Sequence, residues 1–433
     1  MPIKKTSGDF STLRMSLAAR VATFPVTALA GIATTYILIR SYGPESFGTI
    51  SLLATLFLLI PFADFGMGAP LMNGVANSNQ TSAEKAHLVA RVFWILAATS
   101  ISLSGAAIFS TVILDWSEIL GNKSFEPHQF ENALLVTVLI FLASIPFGTG
   151  HRILIGLGLN HVSVIVAGSS GLCALLVTAA ITESAAPPPY AAAAPSLGIL
   201  ISALLSFIFA LRKLGIKFRS LLSPGDLAAL SLFKSSGPMF VVMLAVPLAF
   251  QSHRILISRY STVAELASYS IAMQMYIPVW SLVSTTAVAM WPIFAKNRHD
   301  NVGSGSTYYR ALLAFSLSGI LIAGVFLLFG PVFAHIVSGG QIELPLPLLL
   351  SMGGLVFVQC VQQVPGMFLT SDRGLAFQAI SVSLMCIAAL VLGSLSAGPY
   401  GACGPLIATA LAVLVFQVVP GLLMARKSLH ELG

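Results

Sequence analysis

Residues 16–39 read SLAARVATFPVTALAGIATTYILI, 24 positions in which Arg20 is the only charge. A bilayer core is crossed by roughly 20 apolar residues at about 1.5 Å of rise each, so this stretch is long enough to span it as a helix. Lys4, Lys5 and Arg14 precede it, and Ala28, Leu29 and Ala30 form an A-x-A sequence, which together outline a secretion signal. The apolar run continues to Ile39, past the roughly 7–15 residues of a signal core, and so reads as an uncleaved first span.

The same texture extends along the chain. Of its 433 residues 56% are hydrophobic and 9% charged, with a mean hydropathy of +0.91, against roughly 45–50% and 25% in soluble domains. That leaves too little polar surface to cover a water-facing shell, which excludes a soluble protein. The long unbroken runs differ from the short alternating segments of an outer-membrane barrel. Twelve windows qualify as spans: 16–39, 48–72, 90–114, 133–156, 162–181, 196–211, 237–258, 266–293, 311–336, 345–370, 375–396 and 403–424. The predicted fold is an all-α polytopic membrane protein of about 12 transmembrane helices in two pseudo-symmetric six-helix bundles.

Charge sorts the loops between these windows. With a cytoplasmic N-terminus, one side collects Lys4, Lys5, Arg14, Lys85, Arg91, Arg212, Lys213, Lys217, Arg219, Lys234, Lys296, Arg298, Arg310, Arg373, Arg426 and Lys427. The other holds Arg40, Lys123 and Arg259, so the positive-inside rule places both termini in the cytoplasm. The net charge of +7 is therefore a topology signal and not a nucleic-acid footprint. Residues 212–236 carry five of the basic residues and divide an N-terminal lobe, 1–211, from a C-terminal lobe, 237–433. A faint repeat agrees: Ile37-Leu38-Ile39 leads through Tyr42 to one turn, and Ile255-Leu256-Ile257 through Tyr260 to another, 218 residues on. Residues 185–194, with Pro187, Pro188 and Pro189, read as an extended external linker.

The hairpin Ile37-Leu38-Ile39-Arg40-Ser41-Tyr42-Gly43-Pro44-Glu45-Ser46-Phe47-Gly48, followed by Phe62-Ala63-Asp64-Phe65-Gly66-Met67-Gly68, resembles that of bacterial polysaccharide or O-antigen flippases. These belong to the multidrug/oligosaccharidyl-lipid/polysaccharide exporter superfamily. The likeness in span number and loop polarity covers the whole chain, while the specific residues lie in the first 75 positions; the second-half turn, 261–267, lacks the Gly-Pro pair. The resemblance implies a flippase of the inner (cytoplasmic) membrane. Its substrate would be an isoprenoid (undecaprenyl) pyrophosphate-linked oligosaccharide for O-antigen or exopolysaccharide biosynthesis, and its other contacts membrane lipids and polysaccharide-assembly proteins. It also implies coupling to a proton or sodium gradient, for which Asp64 is the obvious intramembrane carboxylate; beside Pro61, Gly66 and Gly68, pairing with an arginine or satisfying freed backbone donors at a helix end explains Asp64 equally well.

Ionisable residues within a span cost about 2.5–3.5 kcal/mol to insert and by default face a cavity or a partner. Arg20, Arg152 and Arg254 are such residues, against Asp64 alone. Guanidinium forks bind pyrophosphate oxygens in pairs, so this excess suits an anion, whereas cationic drugs would call for carboxylates. Arg20, Thr23, Thr27, Gly31 and Thr34 share one helix face and either line a cavity or leave Arg20 to snorkel to the headgroups. Pro247, Gln251, Arg254 and Ser258 form a second stripe, and Gln359, Gln363, Gly366 and Thr370 a third. The candidate substrate-binding residues are Arg20, Thr27, Arg152, Gln251, His253, Arg254, Gln359 and Gln363. Snorkelling also explains Arg152, at the cytoplasmic end of its span, and a polar filler also explains His253. Prolines within spans, among them Pro146 and Pro365, offer hinges.

Competing classes have less behind them. A glycosyltransferase or polymerase needs a catalytic site on a sizeable external loop; the loop after the third span has under 20 residues, and no Asp-x-Asp pair occurs. Multidrug efflux on the same fold is disfavoured by the sign of the intramembrane charge. No G-x-x-x-x-G-K-[ST] motif is present, and Cys173, Cys360, Cys386 and Cys403 sit singly in apolar runs, so neither a cofactor nor a metal site is expected.

Overall fold

The computed structural model describes residues 7–56, 67–76, 81–184, 186–216, 237–300, 304–370 and 372–432. Every regular element among them is helical. The first half of the chain forms α1 (Ser7–Leu53), α2 (Gly68–Ala76), α3 (Ser82–Ile113), α4 (Trp116–Ile119), α5 (Pro127–Ser144), α6 (Thr149–Gly156), α7 (Asn160–Glu183), a 3-10 turn (Pro188–Ala192) and α8 (Ala193–Leu214). The second half forms α9 (Gly237–Tyr260), α10 (Val263–Asp300), α11 (Ser304–Ser338), α12 (Leu346–Phe368), α13 (Asp372–Tyr400), α14 (Cys403–Val413), a π-helical turn (Leu414–Val418) and α15 (Val419–Leu432).

Among the described residues nine helical stretches are long and apolar enough to cross a membrane, from Ala18–Leu53 to Cys403–Leu429. Rows of large apolar side chains on them have no protein cover: Val112 is 79% exposed, Leu328 74% and Leu395 71%. Lipid is the solvent that makes such rows favourable, and the chain is a multi-pass membrane protein.

Two compact units emerge. One comprises Met1–Tyr42, Phe62–Ile119 and Phe125–Lys234; the other Gly43–Pro61, Leu120–Ser124 and Ser235–Gly433.

In the first unit, contacts between helices rest on small residues, as expected where lipid removes the hydrophobic drive to associate. A Cβ on Gly198 would meet the Ser170 carbonyl, and one on Gly150 the backbone of Phe207, so α7 and α6 approach α8 backbone to backbone. Ser100 Oγ donates to the Leu142 carbonyl at 2.5 Å and Ser202 Oγ to that of Val166 at 2.8 Å, pinning α3 to α5 and α8 to α7. Phe93, Phe147 and Phe207 fill the space between with ring centroids 5.2–5.7 Å apart. The window 133–156 is broken at residues 145–148, where Pro146 interrupts the helix and its carbonyl accepts from Thr149 Oγ1 at 2.7 Å. The stretch 185–194, expected to be extended, instead winds at Pro188–Ala192, with Pro189, Ala191 and Ala192 buried. Proline's fixed φ suits the first turn of a helix, and the alanines bury without polar cost. Gly215, at φ 68, caps α8 in the left-handed conformation, behind Arg212 and Lys213 in its last turn.

The second unit begins at a kink. Gly43 takes φ 82, which a side chain would resist, and Pro44 restarts the helix. Gly48 receives the backbone of Ala267, 3.1 Å from where a Cβ would stand. Gly121, at φ 67, lies against Arg259, and its carbonyl accepts from Ser258 Oγ at 3.0 Å. Lys123 Nζ donates to the Ser261 carbonyl at 2.5 Å, and Thr49 and Ser124 pair through their hydroxyls at 2.9 Å. Segments 43–53 and 120–124 are thus tied to the end of α9 and the start of α10. Elsewhere α13 packs on α9 and α14 through Ala245, Ala249, Met385, Ala389 and Ala412.

Candidate functional site

The candidates fall in both units. In the first, Arg20 is exposed, three residues into the span-length stretch that starts at Ala18. The threonines of its stripe satisfy their hydroxyls on their own helix: Thr23 Oγ1 donates to the Ala19 carbonyl at 2.8 Å and Thr27 Oγ1 to that of Phe24 at 3.0 Å. Thr23 and Thr27 also face the glycines of α7; a Cβ on Gly168 would lie 3.0 Å from Thr23 Cβ, and one on Gly171 3.8 Å from Thr27 Cβ. Arg152 is half-buried on α6, beside His151, whose Nδ1 is 3.2 Å from Ser163 Oγ. Asp64 lies outside the described residues.

The second unit holds the denser group. Helix α9 carries Gln251, half-buried, and His253 and Arg254, only 2% and 5% exposed. Arg254 Nη1 donates to the Ser51 carbonyl at 3.0 Å, to the Ser51 hydroxyl, and to Ser270 Oγ at 3.4 Å. Its guanidinium carbon stands 5.8 Å from the centre of the Tyr269 ring, within cation–π range. Every one of these partners is uncharged. His253 spans two helices, with Nδ1 3.1 Å from Tyr269 Oη and Nε2 2.7 Å from Thr409 Oγ1. On α12, Gln359 accepts from Tyr276 Oη at 2.5 Å, and Tyr276 stacks on Trp280 at 6.1 Å. Gln363 is buried one turn further on.

The structure therefore brings His253 and Arg254 together around Tyr269. It places Gln359 beside Tyr276, farther along the same helix α10. Ser51, Tyr269, Ser270, Tyr276 and Thr409 complete these networks and were missed in sequence. One signal was available: Tyr269 and Tyr276 are seven residues apart, on one face of α10, with hydroxyls that a buried face must satisfy.

A buried guanidinium with neutral partners, in a chain with nine span-length apolar helices among its described residues, marks a helical multi-pass membrane protein. The chain belongs to the family described as "Polysaccharide biosynthesis protein", whose sequence profile matches residues 22–298. Among solved structures it is similar to the lipid II flippase MurJ in an inward closed conformation, with TM-score 0.71 and 16% identity over 94% of this chain and 87% of that one. It is also similar to an inward-facing multidrug resistance MATE family transporter of the MOP superfamily, with TM-score 0.73 and 13% identity over 94% and 95%. An outward-facing form of such a transporter gives 0.63 and 14% over 99% and 97%. These likenesses establish the shared fold. No curated protein matches by sequence.

Proposed function

We propose that the protein is a flippase that moves isoprenoid pyrophosphate-linked oligosaccharide repeat units across the bacterial inner membrane, by alternating access, for O-antigen or exopolysaccharide assembly. The carrying observation is the sign of the buried charge. Arg254 is a buried cation that, among the described residues, no carboxylate neutralises, and in this reading a phosphorylated cargo supplies the negative charge. Membership of a polysaccharide biosynthesis family supports a glycan-bearing cargo. In this reading Arg254, Arg20 and Arg152 attract the pyrophosphate, while Thr27, Gln251, His253, Gln359 and Gln363 meet uncharged parts of the substrate. Asp64 takes the coupling ion. The lipid tail stays in the bilayer and no covalent step occurs. Both termini are cytoplasmic, and the lobes 1–211 and 237–433 act as the moving parts about the basic linker 212–236.

The test is deletion in the native host followed by lipid extraction. Lipid-linked repeat units accumulating on the inner leaflet are the expected result. Unextended units reaching the outer leaflet would mark a polymerase instead. Normal glycan export with new sensitivity to cationic drugs would mark multidrug efflux.

A further inference from the structure

Tyr269, buried on α10, touches both members of the His253–Arg254 pair. Its Oη is 3.1 Å from His253 Nδ1, and the two rings meet edge to face, with centroids 6.0 Å apart and planes at 80°. His253 is held in turn by Thr409 of α14, whose Oγ1 is 2.7 Å from Nε2. The hydroxyl end of the tyrosine is therefore anchored, and its ring face is fixed with it. That face takes the guanidinium of Arg254, the next residue on α9, at 5.8 Å from the ring centre.

The arginine itself is held unevenly. Its hydrogen bonds to the Ser51 carbonyl, the Ser51 hydroxyl and Ser270 Oγ all leave from Nη1. Among the described residues nothing accepts from Nε or Nη2. Donors stand side by side along that edge, the fork that grips two oxygens of one phosphoryl group. Bonds at Nη1 alone fix a point and not a plane, so the group is free to tilt about it. The ring closes one side and attracts the cation toward its face, which limits the tilt. Ser270 follows Tyr269 in α10, so one turn of helix sets both the ring face and an Nη1 acceptor.

We propose that Tyr269 is a positioning residue for anion capture: its ring holds the Arg254 guanidinium so that the Nε–Nη2 edge stays free for a phosphoryl group. The tyrosine acts through the arginine and not by touching the cargo. Its hydroxyl seats the ring on His253, so phenylalanine keeps most of the effect and an aliphatic side chain does not. This rests on the reading of the protein as a carrier of pyrophosphate-linked cargo, to which it adds a residue that sets the geometry of capture.

The experiment is a double-mutant cycle on the purified full chain in detergent, read by calorimetric titration with farnesyl pyrophosphate. Tyr269→Leu should weaken binding about tenfold, and Tyr269→Phe at most about threefold although it loses the bond to His253. In an Arg254→Met background Tyr269→Leu should add less than about twofold, as expected of two residues that act as one unit. A tyrosine kept for packing alone gives the opposite pattern: affinity follows the thermal midpoint in every variant, and the loss is the same in both backgrounds. That pattern overturns the proposal, as does unchanged affinity in a folded Tyr269→Leu chain. Tyr269→Met, closer to the ring in length, is measured beside it and carries the same expectations if the leucine variant does not fold. Nitrogen-15 NMR reads the orientation without cargo, the Arg254 signals being assigned by their loss in Arg254→Lys. Exchange between Nη1 and Nη2 should quicken at least about tenfold in Tyr269→Leu and much less in Tyr269→Phe; exchange no faster in Tyr269→Leu overturns the proposal. Failure of the unaltered chain to bind farnesyl pyrophosphate removes the flippase assignment, and the exchange rates then decide for or against Tyr269 by themselves. Binding that does not depend on Tyr269 leaves the assignment and removes the proposal.

Discussion

Arg254→Met separates a guanidinium kept for cargo from one kept for architecture. The residue lies six positions before the end of α9 at Tyr260, about 9 Å along the axis, and is 5% exposed. Methionine keeps much of the length and the apolar contacts. Removing a buried ion recovers its desolvation penalty, on the order of a few kcal/mol. Losing the charge-assisted bond to the Ser51 carbonyl costs about 1.5–3 kcal/mol in the other direction. The two nearly cancel, so the thermal midpoint should move by only a few degrees, at about 2–4 °C per kcal/mol for a large domain. Pyrophosphate binding has no such compensation. Loss of charge-assisted bonds worth about 1.5–3 kcal/mol weakens it about 10- to 150-fold. Titration calorimetry of the purified protein with farnesyl pyrophosphate, with farnesol as the uncharged control, measures this directly. Arg254→Lys should fall between, since a point charge remains without the fork. Unchanged affinity in the folded methionine variant would refute the argument; so would a midpoint lowered by more than about 10 °C, because Arg254 would then be structural.

Arg20 is exposed and its contribution should be screened. Arg20→Ala is expected to weaken farnesyl pyrophosphate binding a few-fold in 0.1 M salt and not at all in 1 M, where the Debye length shrinks from about 10 to 3 Å. Gly121→Ala sets a Cβ 2.5–2.7 Å from the backbone of Arg259 and adds about 1–2 kcal/mol of left-handed strain. The midpoint should drop, and amide hydrogen exchange across residues 254–261 should accelerate. His253→Phe keeps a ring but strands Tyr269 Oη and Thr409 Oγ1, costing about 2–6 kcal/mol at roughly 1–3 per unpaired group; scanning calorimetry reads the loss, and His253→Gln should recover part of it.

Hydropathy was enough to locate most spans, because apolar length is a local property. The window 345–370 overlies α12, and 375–396 lies within α13. What local composition does not carry is the geometry that neighbours impose. Gly43-Pro44 read as a turn between two spans, yet the chain passes from one helix to the next through a single residue at φ 82, leaving room for no loop. The window 403–424 gave no hint of the π turn inside it, since an extra residue per turn answers to packing and not to apolarity. Segments 43–61 and 120–124 group with the second half of the chain through contacts that sequence order hides. Likewise, periodicity identified His253 and Arg254 but not their partners Thr409 and Ser51, which are 156 and 203 residues away.

Polar stripes and buried arginines also differ in what they can mean. In lipid every donor must be satisfied, and a threonine hydroxyl does this on the carbonyl three or four residues back. Thr23, Thr27 and Thr34 all do so, and the first two then pack against glycines of α7. A threonine stripe is therefore compatible with plain helix packing and by itself says little about a cavity. Arginine has no such escape. Its five donors project beyond its own helix, its charge persists at any working pH, and burial is tolerable only where something outside the helix answers it. At Arg254 the answer, among the described residues, consists of a serine carbonyl, two hydroxyls and a ring face, which hold one edge of the fork. Among the described residues no carboxylate joins them, which is why the proposed cargo is an anion.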